Sequence, residues 1–137
     1  MGRLTLLGVD VDPVTIEYLI ERSRAAILSS EKIVIANHNL HSVYLYHHVP
    51  RLREFYRSAD VVHVDGMPLI FWARILGHRV SRSQRVTYVD LIRPLIAEAW
   101  REGWRVFYLG GKEGVAERAA LLLQQDYPGL VIRTHHG

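Results

Sequence analysis

The chain contains no cysteine among its 137 residues, which excludes disulfide bonds, thiolate nucleophiles and cysteine-bound zinc. It has no run of ~18 uninterrupted apolar residues, the length that a membrane-crossing helix needs. It also has no long run of lysine and arginine of the kind that marks nucleic-acid-binding tails. The apolar stretch at residues 4–9 is too short for a secretory signal. These absences favour a globular protein of a reducing compartment.

What is present suits a single folded domain that meets anions. Apolar residues make up 49% of the chain, enough for a real core at this length. The net charge is +3 with histidine neutral, and arginine outnumbers lysine. Because arginine makes bidentate contacts to phosphate, the expected partners are a nucleotide, a diphosphate or an acidic membrane surface.

Segments with strand character alternate with segments of helical periodicity along the chain. Asp12 is expected to cap the first helix, with Pro13 at its first position. Since the strands are apolar rather than alternating, the predicted fold class is α/β, a Rossmann-like parallel sheet with helices on both faces, in one domain over residues 1–137. Strands are predicted at residues 4–9, 32–36, 61–64, 105–109 and 130–133, and helices at 13–29, 40–46, from 50, 68–76, 89–102 and 113–125.

The predicted helix at residues 68–76 is apolar nearly all round, interrupted by Arg74. Such a helix is buried on most sides, or it lies against a partner or a membrane. Core burial is the favoured interpretation, and the other two stay open.

Asp65 and Gly66 directly follow the predicted strand at 61–64. Open α/β sheets bind ligands outside the carboxyl ends of their strands, and right-handed crossovers bring these ends to one edge. Polar turns at residues 37–39 and 110–112 also follow strands, so one shared cleft is expected. Asp65 is a candidate general base, an acceptor for a ligand hydroxyl, or a cap of its own helix.

Asn37 and Asn39 flank a histidine at a predicted strand end. Their amides suit sugar hydroxyls or a nucleobase, although turn residues of this type are also common without a ligand.

Two acidic or histidine-containing patterns raise the question of a metal ion. His38 and His41, with His63 or Asp65 as a third ligand, have no specific metal-ligand spacing. The Asp-Val-Asp at residues 10–12 resembles the pair that holds a cation against a diphosphate, but a helix start already explains it. We therefore expect no metal site.

Two further segments suggest anion binding. The Gly-Gly-Lys-Glu-Gly at residues 110–114 is neither a dinucleotide fingerprint nor a P-loop, yet the amides of Gly110 and Gly111 could hold an anion before a helix. Arg85 lies in a polar loop, where a guanidinium could neutralise a departing diphosphate without a metal. Asp90 is expected to cap the helix that follows.

Taken in order, four segments resemble the WecG/TagA/CpsF family of bacterial glycosyltransferases. In that resemblance Asp65 matches the family's proposed catalytic base, Arg85 the arginine of its Glu-Arg-Val segment, and Asn39 its strand-end asparagine. Two departures are Asn37, where many members carry threonine, and Gln84, which replaces the common glutamate. The segments are residues 36–42, 58–68, 84–91 and 106–116, and residues 127–130 and Gly137 also fit.

The resemblance implies an inverting transfer of a hexose-type sugar, such as N-acetylmannosamine, its uronate or glucose, from a UDP donor to a polyprenyl-diphosphate-linked saccharide. It implies no cofactor, a place at the inner face of the membrane, and products such as teichoic-acid linkage units and exopolysaccharides. A homo-oligomer stays open. Family members continue past Gly137, so a C-terminally truncated form is expected. The substrate-binding residues expected beside catalytic Asp65 and Arg85 are Asn37, Asn39, Gly66, Asp90, Gly110 and Gly111.

Three other functions compete with this one. A nucleotide- or sugar-binding module would bind UDP without transferring sugar. A dinucleotide-dependent oxidoreductase lacks its fingerprint. An RNA-binding domain would need basic and aromatic residues interleaved, which the chain does not show, so no nucleic-acid partner is expected.

Overall fold

The computed structural model describes residues 2–137 and divides the chain into two compact units, Met1–Leu91 and Ile92–Gly137. Helices and strands alternate, which confirms the α/β, Rossmann-like fold class, although the strands form three two-stranded sheets. The prediction of a single domain stays a prediction. The elements are β1 Leu4–Leu6, β2 Val9–Val11, α1 Ile16–Leu28, β3 Ile35–His38, α2 Leu40–His48, α3 Pro50–Ser58, β4 Val61–Val64, α4 Met67–Ile75, α5 Tyr88–Arg101, β5 Arg105–Leu109, α6 Val115–Asp126 and β6 Val131–His135, with a 3₁₀ turn at Arg82–Gln84.

The N-terminal segment is a hairpin, so the single strand predicted at residues 4–9 is wrong. β1 pairs antiparallel with β2, with Leu4 opposite Val11. The turn between them consists of Leu7 and Gly8, whose φ angles are 52° and 77°. Positive φ at both central residues is the requirement of the tight turns that suit strand twist, and glycine meets it without strain.

The first helix begins later than predicted, and Asp12 does not cap it. Thr15 is the N-cap of α1, with its side chain accepting from the backbone N–H of Tyr18. The Asp12 carboxylate instead accepts from Arg3 at 3.2 and 3.0 Å and from the N–H of Val62 at 2.8 Å. Asp12 therefore joins the N-terminal hairpin to β4.

The sheet that positions the site pairs β3 and β4 in parallel, with Asn37 opposite His63 and His38 opposite Val64. β3 begins three residues later than the predicted 32–36 and ends two residues later, because Asn37 and His38 take part in the pairing. The other side of β4 is bridged first by Asp12, opposite His63, and then by Arg85, opposite Val64. The carboxyl end of β4 thus has polar neighbours on both sides.

The main apolar core of the first unit lies between the hairpin, β4 and α4. Only one side of α4 contributes to it, so burial of this helix on most sides was the wrong expectation. Phe71, Trp72 and Ile75 are exposed on its other side. The buried members of the core are Leu6, Val9, Val11, Val43, Val64, Leu69, Ile70, Ala73 and Val80.

The second unit pairs β5 and β6 in parallel, with Arg105 opposite Val131 and Leu109 opposite His135. β5 has the bounds predicted from the sequence, and α6 and β6 differ by one to two residues at each end. Trp100 of α5 donates to the carbonyl of Pro128 at 2.8 Å, which ties the helix to the turn before β6. Within residues 2–137, no helix combines the length and the apolar character needed to cross a bilayer.

Candidate functional site

The carboxylate of Asp65 stands at the carboxyl end of the β3–β4 pair. Its backbone N–H donates to the carbonyl of His38 at 2.8 Å, which continues the parallel ladder one residue past β4. Asn37 donates from Nδ2 to Asp65 Oδ2 at 3.0 Å. Within residues 2–137, Oδ1 of Asp65 has no hydrogen-bond partner. One carboxylate oxygen is thus held and the other is open.

Asp65 does not cap the helix that follows it. The N-cap of α4 is Gly66, with φ 133° and ψ 136°, and no described side chain (residues 2–137) makes a capping hydrogen bond there. Few residues other than glycine adopt this backbone conformation. The capping role considered for Asp65 is therefore wrong, and its carboxylate is available for another use.

Asn39 lies close to the same turn. Its Cβ is 4.0 Å from the position that a Cβ at Gly66 would take. Its Oδ1 accepts from the N–H of Ser42 at 2.9 Å and so caps α2, while its side chain is exposed. The structure therefore brings together Asn37, Asn39, Asp65 and Gly66, two pairs separated by about 26 residues in sequence.

His38 points away from this polar cluster into an aromatic pocket. It is 1% exposed and stacks on Tyr56, with ring centroids 3.9 Å apart, and meets the edge of Tyr46. Its Nδ1 is 2.9 Å from Ser42 Oγ, and its buried Nε2 has no partner among residues 2–137. Burial, with a smaller contribution from His47, lowers the pKa of His38 to about 4.

His63 is also buried. Burial lowers its pKa, against the opposing effect of the Asp65 carboxylate, and its Nδ1 has no partner in the described part of the chain. Since side chains alternate along a strand, His63 of β4 faces the same side of the sheet as Asn37, opposite to His38. His38 and His63, two of the three histidines in the metal-site hypothesis, therefore lie on opposite faces of the sheet.

The acidic pair at residues 10–12 is engaged elsewhere. Asp10 accepts from the hydroxyl of Thr5 at 2.7 Å, and Asp12 is held by Arg3 and Val62. Among residues 2–137 there is no group of three or more histidine, aspartate or glutamate side chains that could hold a metal ion.

Arg85 is placed by the backbone at the edge of β4. The N–H of Val86 donates to the carbonyl of Val64 at 2.8 Å, which sets Arg85 level with the residue before Asp65. Its Nη2 lies 2.9 Å from Asp90 Oδ2, and its buried Nε has no partner within the described residues 2–137. The guanidinium is thus oriented by one carboxylate while retaining an unsatisfied donor.

Thr87, rather than Asp90, caps α5. The Thr87 hydroxyl accepts from the N–H of Asp90 at 3.2 Å and donates to Asp90 Oδ2 at 2.8 Å. Asp90 stands in the first helical turn, where its carboxylate joins Thr87 and Arg85. The expectation that Asp90 caps the helix is therefore wrong, and its place in substrate binding stays a prediction.

The glycine turn belongs to the second unit. The N–H of Gly110 donates to the carbonyl of His135 at 2.9 Å. Gly111 has φ 80°, and within residues 2–137 its N–H has no partner. Gly114, at φ 80°, is the N-cap of α6 and, as a glycine, offers no side chain to cap it. Anion binding at Gly110 and Gly111 stays a prediction.

These elements define an α/β protein in which the carboxylate of Asp65, at the end of a strand, is hydrogen-bonded by Asn37. The chain belongs to the family described as "Glycosyl transferase WecG/TagA/CpsF family", whose model matches residues 4–137. The family assignment made from the four sequence segments is thereby confirmed.

Curated relatives agree with the family. Proteins of Staphylococcus aureus strains NCTC 8325 / PS 47 and COL, both named N-acetylglucosaminyldiphosphoundecaprenol N-acetyl-beta-D-mannosaminyltransferase, are each 28% identical over 141 aligned positions. The match covers 99% of this chain and 54% of each relative. The chain thus spans about half the length of the curated relatives it matches.

Proposed function

We propose that this chain carries the acceptor-activating part of a glycosyltransferase site. The reaction is the transfer of an N-acetylmannosamine-type sugar from a UDP donor to a polyprenyl-diphosphate-linked N-acetylglucosamine. The names of the Staphylococcus aureus relatives supply the sugar and the lipid-linked acceptor. The family resemblance supplies the UDP donor and the inversion of configuration.

The observation that carries the proposal is the environment of Asp65. Asn37 holds Oδ2 at 3.0 Å, and Oδ1 has no partner within residues 2–137. The carboxylate is partly buried and does not cap α4. A general base needs an open oxygen in a fixed orientation within hydrogen-bonding distance of the proton it removes. Asp65 meets the first two of these requirements.

The chemistry follows from that arrangement. A hydroxyl oxygen of the acceptor sugar attacks the anomeric carbon of the donor, on the face opposite to UDP. The new glycosidic C–O bond forms as the bond between the anomeric carbon and the diphosphate oxygen breaks. Oδ1 of Asp65 takes the hydroxyl proton, and the bonding electrons leave with UDP.

Arg85 supports the leaving group in this proposal. Negative charge develops on the departing diphosphate, and a fixed donor aimed at it stabilises the transition state. The buried Nε of Arg85 has no partner among the residues that the structure describes, and Asp90 orients the guanidinium through Nη2. Asn39, whose Oδ1 is used in capping, contributes its amide nitrogen to the sugar or nucleotide.

The test replaces the base in the complete natural protein that contains this sequence. Asp65→Asn keeps an acceptor for the Asn37 amide and removes the basic oxygen. Turnover, measured as UDP released from UDP-N-acetylmannosamine with a short-chain prenyl-diphosphate-linked N-acetylglucosamine, should fall by ~10²-fold or more while UDP affinity is retained.

The matched control is Asp60→Asn, at the opposite end of the same strand. Asp60 Oδ2 accepts from the N–H of Val34 at 2.8 Å, and asparagine can replace it as acceptor, so turnover should stay near that of the unchanged protein. Near-normal turnover of Asp65→Asn would remove this residue from the role of base. UDP binding without sugar transfer by the unchanged protein, across a panel of UDP-sugars, would favour a binding module.

A further inference from the structure

The buried side chain of His38 is linked to the candidate site through the hydroxyl group of Ser42. His38 stands between Asn37 and Asn39 on β3, but its ring points to the other side of the sheet, into a pocket of aromatic rings. From there Nδ1 lies 2.9 Å from Ser42 Oγ, in the first turn of α2. A histidine on the core side of the strand thus contacts the residue that holds Asn39.

The Ser42 hydroxyl uses its whole hydrogen-bonding capacity in this arrangement. It donates to the carbonyl of Asn39 at 2.9 Å and accepts from the N–H of Asn39 at 2.9 Å. A hydroxyl has one proton and two lone pairs, so the remaining lone pair accepts the proton on His38 Nδ1. An isolated hydroxyl rotates freely, whereas three partners leave this one a single orientation.

The same serine also holds the side chain of Asn39. The N–H of Ser42 donates to Asn39 Oδ1 at 2.9 Å, so the two residues exchange hydrogen bonds as a capping box. Because an amide group is planar, fixing Oδ1 limits the direction of Nδ2, which has no hydrogen-bond partner within residues 2–137. The Cβ of Asn39 is 4.0 Å from the position that a Cβ at Gly66 would take. The unpaired donor therefore belongs to the turn that contains Asp65.

Packing alone does not explain a histidine at this place. A phenylalanine ring would also stack on Tyr56, and it would not bury a polar nitrogen such as Nε2, which has no partner in the described residues 2–137. Burying an unpaired polar atom costs free energy. The Nδ1–H is the group that histidine has and phenylalanine lacks, and here it contacts Ser42. The cost of the buried ring is thus tied to the orientation of the hydroxyl.

We propose that His38 is a positioning residue, which acts through Ser42 to orient the Asn39 amide so that Nδ2 donates to an oxygen of the UDP-sugar. The inference rests on the proposed function, in which Asn39 binds the sugar or the nucleotide. The ring is 1% exposed and stacks on Tyr56 with centroids 3.9 Å apart, so it is a fixed point for the contacts that lead to Asn39. A donor that is already oriented loses less entropy when the ligand binds.

The test changes the two linking residues in the complete natural protein that contains this sequence. His38→Phe keeps a ring on Tyr56 and removes the Nδ1 donor, whereas Ser42→Ala keeps the histidine and removes the hydroxyl. Each should weaken binding of UDP-N-acetylmannosamine, measured by titration calorimetry, by about threefold, because part of one hydrogen bond to the ligand is lost.

The kinetic constants should divide in the same way. The KM for the UDP-sugar should rise by about threefold in both variants, while kcat changes by less than about twofold. The reason is that Asn37, rather than Asn39, donates to the Asp65 carboxylate. A large fall in kcat with an unchanged KM would contradict a role in donor binding.

Asn39→Ser separates positioning from a general loss of stability. Serine retains an oxygen that caps α2 but lacks Nδ2, so binding should weaken by about fivefold. Adding His38→Phe to this variant should weaken binding no further, because no amide is left to orient. His38→Asn, which retains a side-chain N–H for Ser42, should recover most of the affinity that His38→Phe loses. Losses that multiply in the double variant would overturn the proposal.

The matched control is His48→Phe, at the opposite end of α2 from Asn39. The Nδ1 of His48 is 2.7 Å from the carbonyl of Tyr44, and its ring stacks on Tyr44 with centroids 4.0 Å apart. The contact is of the same kind as that of His38, but it leads to Tyr44 rather than to the capping box. Donor affinity and KM should therefore be unchanged.

Nitrogen NMR of the complete protein with labelled histidine adds a measurement that needs no ligand. The ¹⁵N shifts should place the proton of His38 on Nδ1, and a proton on Nε2 instead would overturn the proposal. Unchanged affinity in both His38→Phe and Ser42→Ala would overturn it too. If these variants weaken UDP-sugar binding but the unchanged protein transfers no sugar to any acceptor, the positioning role stands and the proposed enzymatic function fails. Failure of the unchanged protein to bind the UDP-sugar would remove both.

Discussion

Acid should destabilise this protein through His38. The ring is 1% exposed, packed between Tyr56 and Tyr46, and burial lowers its pKa from 6.5 to about 4. The single hydroxyl proton of Ser42 is donated to the carbonyl of Asn39. In the hydrogen bond between Ser42 and His38 the donor is therefore Nδ1–H of the ring, and the Ser42 oxygen accepts. Nε2 is then a neutral acceptor, and no group in residues 2–137 donates to it. Charging this ring means placing a cation in an apolar site.

The sign and size follow from proton linkage. Between pH 6.5 and pH 4 the unfolded chain binds a proton at this histidine and the folded chain does not, so stability falls as pH falls. The full contribution, present above pH 6.5, is about 3 kcal/mol for a pKa lowered from 6.5 to about 4. About 2 kcal/mol of it should be lost between pH 7 and pH 5. His63, whose pKa is also lowered by burial, contributes in the same direction.

The assay is urea unfolding, followed by circular dichroism at several pH values between 7 and 5. His38→Asn removes the titrating ring and retains an amide donor for Ser42. Although this variant is less stable throughout, its loss of stability between pH 7 and pH 5 should be smaller by about 2 kcal/mol than that of the unchanged protein. His41→Asn, which changes an exposed histidine of α2, should show the unchanged pH dependence. Parallel curves for the unchanged protein and His38→Asn would refute the reasoning.

Two further substitutions test contacts around the site. Asn37→Ala removes the amide that donates to Asp65 Oδ2 at 3.0 Å, so kcat should fall about tenfold with little change in the KM for the UDP-sugar. Asn37→Thr should recover part of this loss. A change confined to KM would make Asn37 a substrate ligand instead. Asp12→Ala leaves Arg3 and the Val62 N–H without their acceptor, so the free energy of unfolding measured in urea should fall by about 2 kcal/mol. Asp10→Ala should lower it by less than ~1 kcal/mol. Equal losses in the two variants would contradict the linking role of Asp12.

The parts of the fold that the sequence predicts well are short apolar runs between polar turns. β4 and β5 have the predicted bounds, and α1 ends one residue before the predicted position. These elements are specified by local pattern, since a run of buried valines between turn residues has few alternatives. α2 begins at the predicted residue 40 and runs two residues past the predicted end at 46, and α3 begins at Pro50 as predicted.

The errors occur where a distant contact decides the structure. Asp12-Pro13 has the local pattern of a helix start, but Arg3 and the Val62 amide engage the aspartate, and Thr15 becomes the cap. The predicted N-terminal strand is interrupted by a turn in which both Leu7 and Gly8 have positive φ angles. Leucine rarely adopts a positive φ, so the sequence does not predict this turn. The sequence does not predict the exposed side of α4 either. Because both sides of this helix are apolar, the pattern does not indicate which side packs against the core.

The candidate site divides in the same way. Its location follows from a general rule, that strand ends of a parallel sheet gather at one edge, and Asn37, Asn39 and Asp65 obey it. The strand-end rule could not predict the position of Arg85 from the sequence, because no strand is recognisable around this residue. Its place depends on one backbone hydrogen bond, from Val86 to Val64, that no local pattern specifies. Because only backbone atoms make this bond, it does not require a particular side chain at position 85. The arginine found there is oriented by the Asp90 carboxylate, and its buried Nε has no partner among the described residues.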